Sequence, residues 1–238
     1  MTASNPIRLL IHGASGRMGR ALLRLATADA RFAVVAAVTR SGGDVDGMYA
    51  LASEHIASAP AFDVLVDFSL PEAFDAALAL CVQRDCALVS GTTGLSDAQR
   101  TALDAAAQSI PVVWASNFSL GVAVLNELVR RATSALPDWD CGIVETHHVH
   151  KRDAPSGTAL SLGATIASVR GEEPHYTSLR TGDVVGEHAV QFAGIGERLE
   201  LIHRALDRDI FARGALEAAA RVAGRGPGRY ALGDLLLG

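Results

Sequence analysis

The chain has 238 residues, 49% of them apolar and 20% charged, with 23 glycines and 8 prolines, which excludes a disordered, collagen-like or low-complexity protein. Its net charge of −5 removes any general attraction to nucleic acid or to an anionic membrane, so a small molecule is the expected partner. The three cysteines, Cys81, Cys86 and Cys141, are odd in number and lack ligand-like spacing, so neither a disulfide nor a metal centre is expected. No basic-then-apolar leader precedes the first apolar run, and polar residues interrupt the charge-free stretch 105–126. A cytoplasmic protein with no membrane span is expected.

Residues 7–12 form a short apolar run that ends in glycines, and 18–27 carry apolar residues at helical spacing. Further buried-strand candidates are 32–38, 64–67, 87–90 and 112–115. Pro71 falls in the first turn of the helix after 67, where its missing N–H does no harm. Ser96 and Gln99 have the spacing of a capping box for a helix reaching about 108. Apolar strands separated by helices imply an α/β domain, a doubly wound, Rossmann-like parallel sheet covered on both faces. After Phe118 the rhythm changes. A helix is expected over 120–135, strands with one open face over 143–149, 188–192 and 199–203, and a helix capped by Ser156 running to about 169. The Ala-rich segment 210–222 is expected to form a helix returning to the first domain. The expected organisation is therefore 1–118 plus 210–238 as a dinucleotide-binding domain, and 119–209 as an α+β domain for substrate binding and oligomerisation.

The run Gly13-Ala14-Ser15-Gly16-Arg17-Met18-Gly19 lies between the first strand and the first helix, where a dinucleotide turn belongs. Gly13 and Gly16 let backbone approach a pyrophosphate, and the helix start offers free N–H groups. Such a turn also serves helix–strand packing alone. At the end of the second strand stands Thr39-Arg40-Ser41 rather than an acid. A guanidinium flanked by hydroxyls suits a ribose 2′-phosphate, so NADPH is the expected coenzyme and NADH the alternative; a solvated loop charge is the plainer role for Arg40.

The 21 basic side chains include a single lysine, Lys151, and three of the eight histidines, His147, His148 and His150, precede it directly. An ammonium can give up a proton near neutral pH where a guanidinium cannot. On a strand, His148 and His150 would point one way and His147 the other. Ser156-Gly157-Thr158 reads as a capped helix start able to bind a carboxylate or phosphate. Together these offer a site for a small polyanion that needs a proton. The spacing of His148 and His150 also fits a metal pair, against which stand the adjacent Lys151 and Arg152 and the lack of completing ligands.

Six strings extend the pattern: Gly13 to Gly19, Asp67-Phe68-Ser69, Gly91-Thr92-Thr93-Gly94, Ala115-Ser116-Asn117-Phe118-Ser119, the run ETHHVHKRDAPSGT from Glu145 to Thr158, and Gly194-Ile195-Gly196-Glu197-Arg198. In these the chain resembles the 4-hydroxy-tetrahydrodipicolinate reductase (dihydrodipicolinate reductase) family of diaminopimelate and lysine synthesis, over nearly its whole length. The resemblance implies reduction of 4-hydroxy-tetrahydrodipicolinate by NAD(P)H to tetrahydrodipicolinate and water. It implies that Gly13, Ala14, Ser15, Gly16, Arg17 and Met18 contact coenzyme phosphates and that Arg40 lies near the adenosine ribose. It also implies that Gly91, Thr92, Thr93, Ala115, Ser116, Asn117 and Phe118 line the nicotinamide side. His147 and Lys151 match the family's acid–base pair, with Lys151 the proton donor, and His148, Gly157 and Thr158 match its substrate-binding positions. A homotetramer built through the second domain's sheet and a small dicarboxylate substrate are implied as well. Thr39 stands where many members carry an acid, which weighs against dual coenzyme use, and segments 41–61 and 171–186 are short. Two other readings compete: a different nicotinamide dehydrogenase on the same fold, and a nucleotide-sensing module without catalysis.

Overall fold

The computed structural model describes residues 5–238. The chain divides into two compact units, one comprising residues up to Phe118 together with Phe211–Gly238 and the other Ser119–Ile210.

The first unit contains β1 (Ile7–His12), α1 (Arg17–Thr27), β2 (Phe32–Thr39), β3 (Ser41–Val45), β4 (Met48–Ala52), a short 3-10 helix (Ser53–Ser58), β5 (Val64–Asp67), α2 (Pro71–Arg84), β6 (Ala87–Ser90), α3 (Asp97–Ala106) and β7 (Pro111–Trp114). The second contains α4 (Leu120–Ala135), β8 (Asp140–His147), α5 (Gly157–Arg170), β9 (His175–Arg180), β10 (Gly186–Gly194) and β11 (Glu197–Ala205). Then α6 (Asp209–Val222), β12 (Gly228–Tyr230) and α7 (Leu232–Leu237) follow.

The first sheet has the order β12-β7-β6-β5-β1-β2-β4-β3. Every neighbouring pair is parallel except the β3–β4 hairpin at one edge. Its central strands are buried on both faces, as their unbroken apolar runs require: Leu10, Leu65, Leu88 and Val112 pack with α2 and α3, while Leu9, Ile11, Val64 and Val89 are equally buried. The doubly wound arrangement expected from the sequence is therefore present, with three strands added. β3 and β4 fall in the short segment 41–61, where no strand is expected from the sequence. Their hairpin turns on Asp46 and Gly47, both at positive φ (52° and 85°), the conformation a two-residue turn with right-handed twist needs. Asp46-Gly47 is a hairpin-turn pair, masked in the sequence because β3 (SGGDV) is glycine-rich and mostly exposed. The third, β12, is a three-residue edge strand beside β7.

The second sheet has the order β11-β10-β8-β9. β10 is antiparallel to β11 and to β8, and β9 runs parallel to β8 through the α5 crossover. Leu125 and Val129 of α4 and Leu162 and Ile166 of α5 pack with Ile143, Val190 and Phe192. β9 was not anticipated, because it is an edge strand whose residues are mostly exposed. β8 ends at His147, so His148 and His150 lie in the loop beyond it rather than on a strand face as expected. Among the described residues no helix is long and apolar enough to cross a membrane.

At the β1–α1 turn, close approach explains two glycines. A Cβ on Gly19 would lie 2.2 Å from the Gly13 carbonyl oxygen, and one on Gly13, whose φ is +78°, would lie 2.4 Å from that of Phe68. Gly19→Ala therefore forces α1 away from β1. It should lower stability by about 1–3 kcal/mol in denaturant unfolding, whereas Gly226→Ala, with open space around it, should stay within about 0.5 kcal/mol of the parent.

Candidate active site

In the first unit the glycine turn sits at the C-terminal end of the parallel sheet, where doubly wound proteins bind ligands. α1 starts at Gly16 with no side-chain cap and no acid in its first turn, which leaves its leading amides for an anion. The N–H groups of Gly13 and Ala14 both donate to the Val38 carbonyl at 3.0 Å, so an anion must rely on the amides that follow them. Beside the turn lies a cleft of about 720 Å³ lined by His12, Gly13, Gly16, Arg40, Glu54 and Phe68 among others. A buried network underlies it. Asp67, with no exposure, accepts from Ser90 Oγ at 2.8 Å, Thr92 Oγ1 at 2.7 Å and the Ser69 N–H at 3.1 Å, and pairs with His12 Nδ1 at 3.0 Å. Burial pushes the Asp67 carboxyl up, but the pairing with His12 and these hydrogen bonds outweigh it and leave it below its ordinary value. Gly91 has no room for a Cβ because the Phe68 ring would lie 2.2 Å away, and Phe68 packs against Phe118 at 5.5 Å between ring centroids.

In the second unit, β8 delivers Glu145 and His147 to the same face, two residues apart. Glu145 is fully buried and paired through His147 Nδ1. It also takes both arms of the Arg180 guanidinium, at 2.9 Å (Nη1 to Oε2) and 2.8 Å (Nη2 to Oε1), and the Ser156 N–H at 3.3 Å. Burial alone would raise this carboxyl, yet hydrogen bonds from Arg180, Ser178 and His147 hold it at about 2. His147 is moved the other way: burial favours its neutral form more strongly than Glu145 favours its cation, and Lys151 and Arg180 add repulsion. Ser156 caps α5, accepting from the Ala159 N–H at 3.2 Å, and its Oγ contacts His188 Nε2 at 2.9 Å. The His188 ring stands edge-on to His147 at 5.2 Å. Lys151 is one-fifth exposed and pairs with Asp153 at 2.9 Å. The first turn of α5 carries no acid, and a Cβ on Gly157 would meet nothing within 4 Å. An imidazole, an ammonium and an open helix N-terminus thus converge where β8 gives way to α5.

Sequence models described as "Dihydrodipicolinate reductase, N-terminus" and "Dihydrodipicolinate reductase, C-terminus" match residues 7–118 and 121–236. The chain belongs to the dihydrodipicolinate reductase family. A 4-hydroxy-tetrahydrodipicolinate reductase of Stenotrophomonas maltophilia is 65% identical over 97% of this chain and 98% of its own. One of Xanthomonas campestris pv. campestris is 62% identical over the whole of both chains. In fold, the chain is similar to a dipicolinate-bound dihydrodipicolinate reductase from Paenisporosarcina sp. TG-14, with a TM-score of 0.79, 23% identity and coverage of 95% and 97%.

The family resemblance names two sets of positions, and each falls within one unit. Gly13 to Met18, Arg40, Gly91 to Thr93 and Ala115 to Phe118 all follow C-terminal ends of β1, β2, β6 and β7. His147 ends β8, His148 and Lys151 follow it, and Gly157 and Thr158 open α5. Among the described residues no cluster of three metal-ligating side chains exists, and the His148 and His150 rings lie 6.2 Å apart, centre to centre. Sequence reasoning missed Glu145, Arg180 and His188 as members of the site, and His12 and Glu54 beside the glycine turn. Glu145 was legible in principle, since a carboxylate two residues before His147 on one strand shares its face.

Burial holds His188 neutral, moving it from its ordinary 6.5 to about 4. An unfolded chain takes up this proton at about pH 6.5 and the folded one only near 4, so stability is present at neutral pH and lost as pH falls between those values. His147 and His203 act in the same direction, whereas Glu145 acts lower, between 4.5 and about 2. Urea unfolding should show a loss of about 3 kcal/mol or less from His188 over this window, and His188→Gln should flatten the slope. An unchanged slope would contradict the buried neutral imidazole.

Proposed function

We propose that this chain is a nicotinamide-dependent 4-hydroxy-tetrahydrodipicolinate reductase, with the coenzyme bound at the glycine turn of the first unit and the dicarboxylate bound where β8 meets α5. The high full-length identity to curated reductases supports the activity. The observation that carries the site is the pairing of an uncapped, acid-free helix start at Gly16 with an open, acid-free helix start at Gly157. Each suits an anion, pyrophosphate in the first case and carboxylate in the second.

When bound, the nicotinamide supplies a hydride. The residues of this chain do the rest. The α5 N-terminus, with Gly157 and Thr158, holds one carboxylate, while His148 and the ammonium of Lys151 offset the negative charge of the ring dianion. Loss of the 4-hydroxyl as water leaves a conjugated imine. Hydride addition makes it an electron-rich enamine that must take up a proton, and Lys151 is the donor. His147 is its acid–base partner. On the coenzyme side, the Gly13–Met18 turn receives the phosphates through the amides that follow Ala14, Gly91 to Thr93 and Ala115 to Phe118 receive the nicotinamide, and Arg40 with the Thr39 hydroxyl favours a 2′-phosphate. Glu54, in the same cleft, is the group that would favour the unphosphorylated ribose of NADH. In this proposal the enzyme is cytoplasmic and homotetrameric. The face of the second sheet bearing Val144, Ala189 and Ile202, outside the α4–α5 core, supports assembly of copies there.

The test follows nicotinamide absorbance with freshly made substrate. Turnover is expected with NADPH above NADH, and Arg40→Ala should narrow the kcat/KM ratio roughly tenfold or more. A parent enzyme favouring NADH would overturn the assignment of Arg40. Lys151→Arg keeps the charge and should lower kcat on the order of 10²-fold or more. Near-normal turnover would make Lys151 a binding charge only.

A further inference from the structure

We propose that the Glu145–Arg180 ion pair is the positioning device of this site: it fixes the hydrogen of His147 on Nδ1, leaves Nε2 bare, and ties the Lys151 loop to the same carboxylate. The inference rests on the functional reading above for its catalytic meaning, but its geometry stands alone. Glu145 is ionised and can only accept, so the group between it and His147 must be the Nδ1 hydrogen. A neutral imidazole carrying that hydrogen has a lone pair on Nε2. Among the described residues no hydrogen bond is made at that atom, and Gly186, which has no side chain, lies beside it: a Cβ there would lie 3.0 Å away.

Arg180 sets this arrangement apart from a simple carboxylate–imidazole couple. Its guanidinium grips both Glu145 oxygens, and its Nη2 also donates to the Asp153 carbonyl at 2.5 Å. Asp153 in turn pairs with Lys151 Nζ at 2.9 Å. One cation therefore links strand β9, strand β8 and the loop of the single lysine. It also neutralises Glu145, so the carboxylate orients His147 without drawing it into its cationic form. The groups that face His147 are Glu145 from β8, Arg180 from β9, His188 from β10 and Lys151 from the loop. Three of the four disfavour a charged ring or are neutral. His147 thus accepts a proton or hydrogen bond at Nε2 and Lys151 gives one.

The direct test needs no substrate. Long-range 1H–15N correlation spectra of the 15N-histidine-labelled full chain at neutral pH should show His147 as the Nδ1–H tautomer. A neutral ring protonated on Nε2 overturns the proposal. Two variants then separate positioning from mere structure. Arg180→Gln frees the Glu145 charge, so the His147 titration and the acid limb of kcat/KM should rise by about one pH unit, while Glu145→Gln removes that charge and both should fall. Each should lower kcat/KM on the order of tenfold or more, and Arg180→Lys should return the limb to its parent position. Shifts in the same direction, or none, overturn the proposal. The titration is read whether or not the chain turns over its substrate, so failure of the functional reading remains distinguishable from failure of this one.

Discussion

A carboxylate taken wholly out of water stays charged only where donors surround it, and Glu145 shows how much of the second unit is arranged to meet that condition. Its partners come from four places in the chain: His147 two residues on, Ser156 at the head of α5, Ser178 and Arg180 on β9. The crossover from β8 through α5 to a parallel β9 is what brings them together, since an antiparallel hairpin could not set a helix N-terminus beside the end of β8. The position of the candidate dicarboxylate site therefore follows from the burial of one charge.

The first unit solves a related problem in a related way. Asp67, equally buried, gathers His12, Ser69, Ser90 and Thr92 at the C-terminal ends of three neighbouring parallel strands. The loops that follow these strands carry the glycine turn, Phe68 and the Gly91–Thr93 segment. In both units a polar hub fixes loop ends that would otherwise be the mobile part of the fold, which suits sites that must hold anions in one geometry.

Much of this was readable in the residues, and the failures share a physical cause. Continuous apolar runs located β1, β2, β5, β6 and β7 within a residue or so, and local cap chemistry located the starts of α3 and α5 at Ser96 and Ser156. Those signals are local. Of the missed strands, β3, β9 and β12 lie at sheet edges, where exposure removes the apolar pattern, and β4, one place in from the edge, fully buries only Ala50. Lys151 stood out because lysine is otherwise absent. Arg180 did not, because the chain uses arginine for nearly every positive charge and its partner lies 35 residues away. His12 was likewise silent: its pairing with Asp67 spans 55 residues and becomes visible only when β1 and β5 lie side by side.

The proposed chemistry requires a ring dicarboxylate to bind where β8 meets α5. Titrating dipicolinate into the isotope-labelled protein with NADPH present, and following amide and imidazole resonances, tests this most directly. Saturable shifts at His147, His148, Lys151, Gly157 and Thr158 are expected. Shifts confined instead to the cavity of the second unit lined by Trp139, Arg170 and His175, or no saturable binding at all, would contradict it.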